Sequence, residues 1–350
     1  MKLPRLNPSL LPLLATLGVF AAMIAIGAIA FRGENFFTVR TGANLFHQSA
    51  IIAVAAIGGT LVILSGGIDL SVGAVVAFTT VLIAVMIESG YHPLVAWAAA
   101  MACGTGLGLF MGWLIHSFAL PAFMVTLAGM FFARAMAFWV APQNLAIKSD
   151  LYTSIQYPAF RIDNAPVTWL ALTAIACYVV AIIIAHLTNY GRYVYAIGGD
   201  EESARLMGVP VGRTRIATYT IAGFCSSLAG VMATLLSSNG DPAKYVGMEL
   251  DVIAAVVIGG TLITGGVGFI LGTLCGTLIQ TLIGVMIDWK GDISSWWTKI
   301  VVGLLVLAFI VAQRVLLALG ARRAAKSDAG VLDDKSDASA ARAGKAETIM

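Results

Sequence analysis

Few residues of this 350-residue sequence could do chemistry, and most of those interrupt or border long apolar runs. Arg134 lies inside such a run, and Asp69 and Ser71 lie in a Gly-rich break between two runs. Glu249 and Asp251 stand at the start of another run. Because an ionisable side chain within a membrane segment commonly marks a pathway, we predict that these residues line or gate one. The long side chain of Arg134 could instead extend to the outer interface.

Other kinds of site are not indicated. The histidines are scattered without metal-ligand spacing or a nearby acid, and the cysteines lie in apolar runs, as packing residues do. A membrane enzyme would need a polar catalytic cluster at one membrane face, and the sequence offers none. Gly344-Lys345 is followed by Ala346, which does not fit a phosphate loop. We therefore predict no catalytic residue, no metal site and no cofactor in this chain.

The composition predicts an integral membrane protein. Hydrophobic residues make up 59% and charged residues 11% of the chain, and the mean hydropathy is +0.91. Soluble proteins carry about 25% charged residues. The net charge of +3 is small and dispersed, so we expect no nucleic-acid partner. Apolar runs of about 17–25 residues predict an all-α fold of about ten transmembrane helices, at 10–31, 45–64, 71–87, 94–116, 122–140, 167–187, 216–237, 251–264, 268–287 and 297–319. The run 251–264 is short, and 251–287 could be divided differently.

The ends of the chain fit the same interpretation. The run 10–31 is longer than the apolar core of a signal peptide, so we expect it to remain as a membrane span. Residues 1–320 are predicted to form the transmembrane domain. Residues 321–350, rich in Ala, Ser, Asp and Lys, cannot build a core and are predicted to form a disordered cytoplasmic tail.

Lysine and arginine predict the orientation of the chain in the membrane. Ten of them fall on the side that holds both termini and the loop 188–215, against six on the side of the loop 141–166. Because cytoplasmic loops carry the excess of positive charge, both termini are predicted to be cytoplasmic. Lys299 follows Trp296 and Trp297 and is interpreted as an interfacial anchor.

Glycines predict close helix packing and two interruptions of the helices. Two sets recur at every fourth position, which places each set on one helix face: Gly104, Gly108 and Gly112, and Gly268, Gly272 and Gly276. The motif Ile-Gly-Gly-Thr-Leu occurs at 57–61 and 258–262, which hints at duplication, and a Gly-rich break follows each copy. Such breaks are either broken helices beside a binding site or turns at the inner surface. We favour turns, because Asp69 would then reach water or cap the next helix.

The loop 188–215 contains the signals of one short helix. Asp200 is a good N-cap, Glu201 and Glu202 would occupy the first turn, and Gly208 and Pro210 would end the helix. A capped helix of about two turns in a hydrophobic protein is either a plain connector or a docking element for a partner. The residues assigned to the docking element are Asp200, Glu201, Glu202, Ala204, Arg205, Met207 and Gly208.

Three segments resemble the permease subunits of bacterial monosaccharide ABC importers, the branch for ribose, arabinose, xylose and galactofuranose. They are residues 57–76, 196–209 and 249–268, within a resemblance that runs from about residue 10 to 315. Residues 121–140 and 293–305 look most like a galactofuranose importer permease. An ion-coupled secondary transporter is the alternative. It is disfavoured because buried acids that could couple transport to ions are scarce.

The resemblance implies an inner-membrane protein with several partners. It implies a dimer with the same or a homologous second permease, and a periplasmic protein that delivers sugar. It also implies ATPase subunits, which carry ATP and Mg and dock at about 200–208. The scarcity of fixed charge fits a neutral substrate, and galactofuranose is the substrate implied by resemblance.

Overall fold

A computed structural model describes residues 11–32, 36, 38–162, 165–290 and 296–312. The chain divides into two units at residue 306, and the second is described only for residues 307–312, where it continues the last helix. The described helices are α1 (Leu11–Ala30), α2 (Val39–Leu64), α3 (Val72–Glu88), α4 (Pro93–Ser117), α5 (Ala122–Val140), α6 (Asp150–Gln156), α7 (Trp169–Leu187), α8 (Asn189–Gly199), α9 (Glu201–Leu206), α10 (Val211–Ser237), α11 (Met248–Ile258), α12 (Ile270–Lys290) and α13 (Trp296–Ala312).

Strands are short in the described part of the chain. They form two antiparallel pairs, β1 (Leu145–Ala146) with β4 (Asn239–Gly240) and β2 (Phe160–Ile162) with β3 (Ala165–Val167). The pair β1–β4 ties the loop after α5 to the end of α10 and does not extend into a sheet. The predicted all-α fold is therefore confirmed.

Most of the predicted membrane spans are present as helices. Among the described residues, six helices are long and apolar enough to cross a membrane, namely α2, α4, α5, α7, α10 and α12, and α1, α3 and α13 are shorter apolar helices. α2 and α10 begin several residues before the predicted positions 45 and 216. The end of the last predicted span, at 319, and the predicted tail 321–350 lie outside the described residues.

The predicted span 251–264 is wrong. The helix at this position, α11, has 11 residues, or about 16 Å at 1.5 Å per residue, against roughly 30 Å of bilayer hydrocarbon. It ends because Gly260 adopts a positive φ of +88°, a conformation that suits glycine at a helix terminus. The hydroxyl of Thr16 on α1 donates to the carbonyl of Ile258, at 2.7 Å, and so satisfies one carbonyl at the end of α11.

The first glycine set packs α4 against α10. A Cβ atom at Gly104 would lie 2.6 Å from Cβ of Ser227, and one at Gly108 would overlap the carbonyl oxygen of Tyr219. Gly112 lies in the same way against Ile216. Because lipid supplies no hydrophobic force between helices, such backbone approach is a main source of helix association in membranes. The predicted packing role of Gly104, Gly108 and Gly112 has this structural basis.

The second glycine set is only partly helical. Gly272 and Gly276 lie on α12 and pack against α11, where a Cβ at Gly259 would lie 2.6 Å from the Gly272 carbonyl carbon. Gly268 precedes α12 and packs beside Thr261, so its predicted place on the same helix face is wrong. The reason is that residues 259–269 turn before α12 begins.

The two Ile-Gly-Gly-Thr-Leu motifs do not have equivalent conformations. Residues 57–61 lie inside α2, where Gly58 packs on Ala222 and Gly59 packs on Val252. In the second copy the helix stops at Ile258, and the remaining four residues form a turn. The structure therefore gives the hint of duplication no support.

The two long loops contain more structure than predicted. The loop 188–215 holds α8 as well as α9, and α10 begins within it at Val211. The loop 141–166 holds α6, where the Tyr152 hydroxyl contacts Thr234 Oγ1 at 2.9 Å and so ties the loop to α10. Both loops are thus attached to the helices that they connect.

We expect Gly108→Ala to destabilise the protein and Gly106→Ala to leave it unchanged. A methyl group at Gly108 would overlap the backbone of α10, and overpacking of this kind costs roughly 1–3 kcal/mol. A methyl group at Gly106, on the same helix, would meet no atom within 4 Å. Thermal unfolding of the two purified variants in one detergent measures the difference. Equal unfolding midpoints would contradict the packing role of Gly108.

Candidate functional site

The short helix predicted in the loop 188–215 is present as α9, and Asp200 joins it to α8. Asp200 ends α8 by donating its N–H to Ala196, and its carboxylate accepts the N–H of Ser203, at 2.6 Å, as the N-cap of α9. Hydrogen bonds from the Ser203 hydroxyl and N–H lower the pKa of the Asp200 carboxyl. At the other end Gly208 has a φ of +81°. Both predicted caps are confirmed, and α8 and α9 form one capped elbow.

The buried side of α9 is fixed to the helices around it. Ala204 is buried against Ile197 of α8 and Val211 of α10. Glu201 accepts hydrogen bonds from Arg205, at 3.0 Å, and from Arg215 on α10, at 2.5 Å. The Glu201 carboxylate is therefore paired within the chain, while 37% of its side chain remains exposed. Arg205 takes part in the same group of ion pairs.

The opposite side of α9 is open and partly apolar. The side chain of Glu202 is exposed, Leu206 is 85% exposed and Met207 is 73% exposed. The assignment from sequence omitted Leu206. Two large apolar residues in succession at the end of a short helix, within the most charged loop, were the signal that could have found it. An exposed apolar pair beside charged residues is typical of a protein contact.

The break after α2 is a turn in which Ser65, Asp69 and Ser71 are buried and Gly66 is exposed. The first turn, residues 65–71, begins with Gly66 at a φ of +77° and leads into α3. Asp69 is only 5% exposed, and its Oδ1 accepts the N–H of Ser71, at 2.8 Å, and the hydroxyl of Ser71, at 2.7 Å. Of the two expectations for Asp69, that it reaches water or that it caps the next helix, the first is therefore wrong. Its carboxylate instead organises the backbone just before α3.

Arg134 on α5 holds the loop between β4 and α11. Its Nη1 atom donates to the carbonyl oxygens of Pro242 and Lys244, at 2.7 Å each. Asp241 and Glu249 interact with it electrostatically. Arg134 therefore fixes the 241–247 loop to α5, rather than extending freely to the interface as one of the two expectations had it. A guanidinium group suits this role because its several N–H donors are held in a fixed geometry.

Glu249 lies where the 241–247 loop meets α3. Its Oε1 accepts the N–H of Gly247, at 3.2 Å, and among the described residues its buried Oε2 has no hydrogen-bond partner. A Cβ atom at Gly73, two residues after Ser71, would lie 2.5 Å from that Oε2 and would overlap the carbonyl oxygen of Tyr245. The start of α3 and the start of α11 are thus in direct contact. The pattern of charged residues did not single out Gly73.

Asp251 belongs to a different contact. Both carboxylate oxygens lie close to Nζ of Lys299 on α13, at 2.5 and 2.6 Å, and the Asp251 carbonyl accepts from Gln280 on α12. Two residues along a helix point to nearly opposite faces, so Glu249 and Asp251 serve different neighbours. Lys299, interpreted from sequence as an interfacial anchor, also pairs with Asp251 and joins α11 to α13, while its side chain remains 57% exposed.

The structure therefore brings together most of the predicted pathway residues. Asp69 and Ser71 precede α3, Glu249 begins α11, Gly73 joins the two helix starts, and Arg134 holds the loop that leads to Glu249. Asp251 does not join this group. The groups in the site are mainly carbonyls, hydroxyls and charged side chains that are already hydrogen-bonded within the chain. Such groups can bind a polar solute and position a loop. Together with the long apolar helices, this arrangement defines the class of the protein as a polytopic membrane protein.

A comparison with protein families identifies the family of this membrane protein. Residues 41–310 match the family described as branched-chain amino acid transport system / permease component. The match covers more than half of the chain, and the protein belongs to this permease family. It is a transport component and not an enzyme.

Several similar proteins are named as permeases. The chain is 42% identical over 315 residues to the inner membrane ABC transporter permease protein YjfF of Escherichia coli (strain K12), covering 89% of this chain and 95% of that protein. It is 34% identical to the fructose import permease protein FruG of Bifidobacterium longum (strain NCC 2705), covering 90% and 94% of the two chains. It is 35% identical to the ribose import permease protein RbsC of Bacillus subtilis (strain 168), covering 85% and 91%.

We expect Arg134→Met to loosen the 241–247 loop. The substitution removes two hydrogen bonds from a charged donor, each worth roughly 1.5–3 kcal/mol. Hydrogen exchange at Ala243 and Gly247, whose N–H groups bond to Asp241 and Glu249, should then accelerate at least about tenfold. Lys148→Met removes an exposed positive charge and is the matched control. Unchanged exchange in Arg134→Met would show that the loop does not depend on this side chain.

Proposed function

We propose that this chain is the translocating permease subunit of an ATP-binding-cassette importer for a neutral monosaccharide in the bacterial inner membrane. The observation that carries the proposal is α9, a short helix with two caps that presents Leu206 and Met207 to solvent. The names of the similar proteins, an inner membrane ABC permease and import permeases for fructose and ribose, support it.

The exposed side of α9 is proposed to dock an ATPase. Leu206 and Met207 lie in a charged loop between α8 and α10, where the rest of the chain leaves them exposed. Burying this apolar pair in a partner would be favourable, and Glu202 beside it would set the orientation. A helix of six residues is not stable alone in water, so its caps and its contacts with α8 and α10 supply the required rigidity. ATP and Mg would be held by the ATPase, and no cofactor by this chain.

The remaining partners and the orientation follow from the same proposal. A second permease, identical or homologous, would complete the membrane assembly, and a periplasmic binding protein would deliver the sugar. Both termini and α9 would face the cytoplasm. Residues 1–320 would form the membrane domain, and residues 321–350 a cytoplasmic tail.

The charges inside the structure favour a neutral substrate. Asp251 is paired with Lys299, Arg134 is bound to carbonyl oxygens, and Asp69 is bound to Ser71. An amino acid would require fixed charges for its ammonium and carboxylate groups, whereas a sugar needs hydroxyls and carbonyls. Asp69, Ser71, Arg134 and Glu249 are proposed to border the sugar pathway. Galactofuranose is the proposed sugar, on the sequence resemblance of residues 121–140 and 293–305.

We expect the double variant Leu206→Glu with Met207→Glu to lose the ATPase. Placing charge in an apolar contact costs well over 1.4 kcal/mol, so recovery of the ATPase with the tagged permease should fall at least about tenfold. Membranes of the native cells supply the complex, and mass spectrometry identifies the bound subunits. Val246→Glu is the control, because Val246 is 74% exposed but lies in the loop that precedes α11.

A second variant tests the rigidity of the same helix. Gly208→Val has open space for its side chain but requires a positive φ, which is unfavourable for a β-branched residue. We expect normal insertion, weaker recovery of the ATPase and loss of sugar uptake. Full recovery of the ATPase by both variants would show that α9 is only a connector.

We expect the native cells to take up sugars through this permease and not amino acids. Uptake of labelled D-galactose, D-ribose, D-fructose and L-leucine is compared between wild-type cells and cells lacking the gene. D-galactose in solution contains a furanose form, so competition by methyl β-D-galactofuranoside and not by methyl β-D-galactopyranoside would support galactofuranose. A deletion that abolishes leucine uptake and leaves all three sugars unaffected would overturn the sugar assignment.

A further inference from the structure

The end of α8 touches both turns of the membrane domain through backbone alone. A Cβ atom at Gly198 would overlap the carbonyl oxygen of Leu64, where α2 ends, and would lie 2.5 Å from the N–H nitrogen of Gly266. Gly266 belongs to the second turn, residues 259–269, between α11 and α12. One glycine next to the docking element is therefore packed against two separate interruptions of the membrane helices.

The two turns are also bonded to each other at this point. The N–H of Gly266 donates to the carbonyl of Leu64, at 3.0 Å, so the last turn of α2 is completed by the second turn. A Cβ atom at Gly265 would lie 2.9 Å from the nitrogen of Gly66 and 3.0 Å from the carbonyl oxygen of Gly198. Three backbone segments thus meet without an intervening side chain. We call this contact the glycine junction, formed by Leu64, Gly66, Gly198, Gly265 and Gly266.

A side chain on α8 adds a second link to the second turn. The hydroxyl of Tyr195 donates to the carbonyl of Gly268, at 2.8 Å. α8 therefore holds the second turn at two points, Gly198 and Tyr195. Because α8 and α9 share Asp200 as their common cap, displacement of α9 displaces these points of contact as well.

Both turns lead directly to the candidate pathway. The first turn continues through Asp69 and Ser71 into α3. The second turn follows α11. At the opposite end of α11, its N-terminus, Glu249 lies against Gly73. Packed backbone has low compressibility and no rotamers to absorb a displacement, so it passes movement on.

We infer that Gly198 is a positioning residue that transmits movement of α9 through the glycine junction to both turns, and so to the Asp69 and Glu249 ends of α3 and α11. This inference rests on the proposed function, in which an ATPase moves α9. It assigns the transmission to backbone contacts next to the docking helix, apart from the residues that bind the ATPase or the sugar.

Two neighbouring glycines allow a matched test. Gly198→Ala inserts a methyl group into the glycine junction, whereas Gly199→Ala places one where no atom lies within 4 Å. Neither substitution changes the exposed face of α9. We expect Gly198→Ala to retain the ATPase in pull-downs from native membranes but to lower sugar uptake at least about tenfold. Gly199→Ala should match wild type in both measurements.

ATP hydrolysis separates transmission from docking. In proteoliposomes made from the purified native complex, hydrolysis should no longer respond to the sugar and its binding protein in Gly198→Ala, while the basal rate remains. Tyr195→Phe removes one of the two links and should lower uptake with the ATPase still bound. It also keeps the inference testable if Gly198→Ala fails to insert.

Three results have distinct meanings. Wild-type uptake and wild-type stimulation in Gly198→Ala would overturn the inference and leave the proposed function intact. Wild-type values in Tyr195→Phe, when Gly198→Ala does not insert, would overturn it as well. Failure of the wild-type permease itself to recover an ATPase would contradict the proposed function, and that outcome does not depend on either glycine.

Discussion

Close approach of one backbone to another, permitted by glycine, is the constraint on which this structure depends. Lipid is as apolar as a leucine side chain, so membrane helices gain little by merely hiding apolar surface from lipid. They associate instead where small residues allow dense contact. Gly108 lies against the backbone of α10, and Gly276 lies against Ala255 of α11. The large apolar side chains of α4 and α5 mostly point outward, as the exposure of Phe110 on α4 and Trp139 on α5 shows.

The same approach makes non-helical backbone possible inside the membrane domain. Each turn exposes peptide groups that lipid cannot satisfy, so those groups must bond within the protein. The carbonyl of Leu64 receives the N–H of Gly266, and the carbonyl of Ile68 receives the hydroxyl of Thr126. Each interruption thus supplies part of what the other requires. Under the proposed function, this mutual dependence makes the two turns one mechanical unit, because a shift of either one leaves peptide groups of both without partners.

The sequence predicted features that depend on local pattern and missed those that depend on contact. Asp200 and Gly208 mark the ends of α9 by local backbone chemistry, and apolar runs mark nine helices among the described residues by composition. The partner of Arg134 lies 108 residues away, at Pro242, and Lys299 lies 48 residues from Asp251. No periodicity encodes such pairings. The end of α11 could not be located from sequence, because hydropathy remains high through Leu262 although the backbone turns at Gly259 and Gly260.

The placement of charge explains why composition predicted an integral membrane protein, and why the sequence indicated the energy source of transport only by elimination. Most of the charged groups that border α3, α5 and α11 hold loops and helices, and Arg134 is the clearest case because its guanidinium binds two carbonyls of one loop. A group engaged in this way cannot also exchange a proton or an ion in each cycle without releasing what it holds. Under the proposed function, a pathway built of such groups passes a neutral solute, and the driving force enters from elsewhere. The open face of α9 lies in the longest charged loop, outside the apolar helices, and the glycine junction connects that face to the pathway. The distribution of charge, the turns and the docking element therefore all require one another under the proposed function.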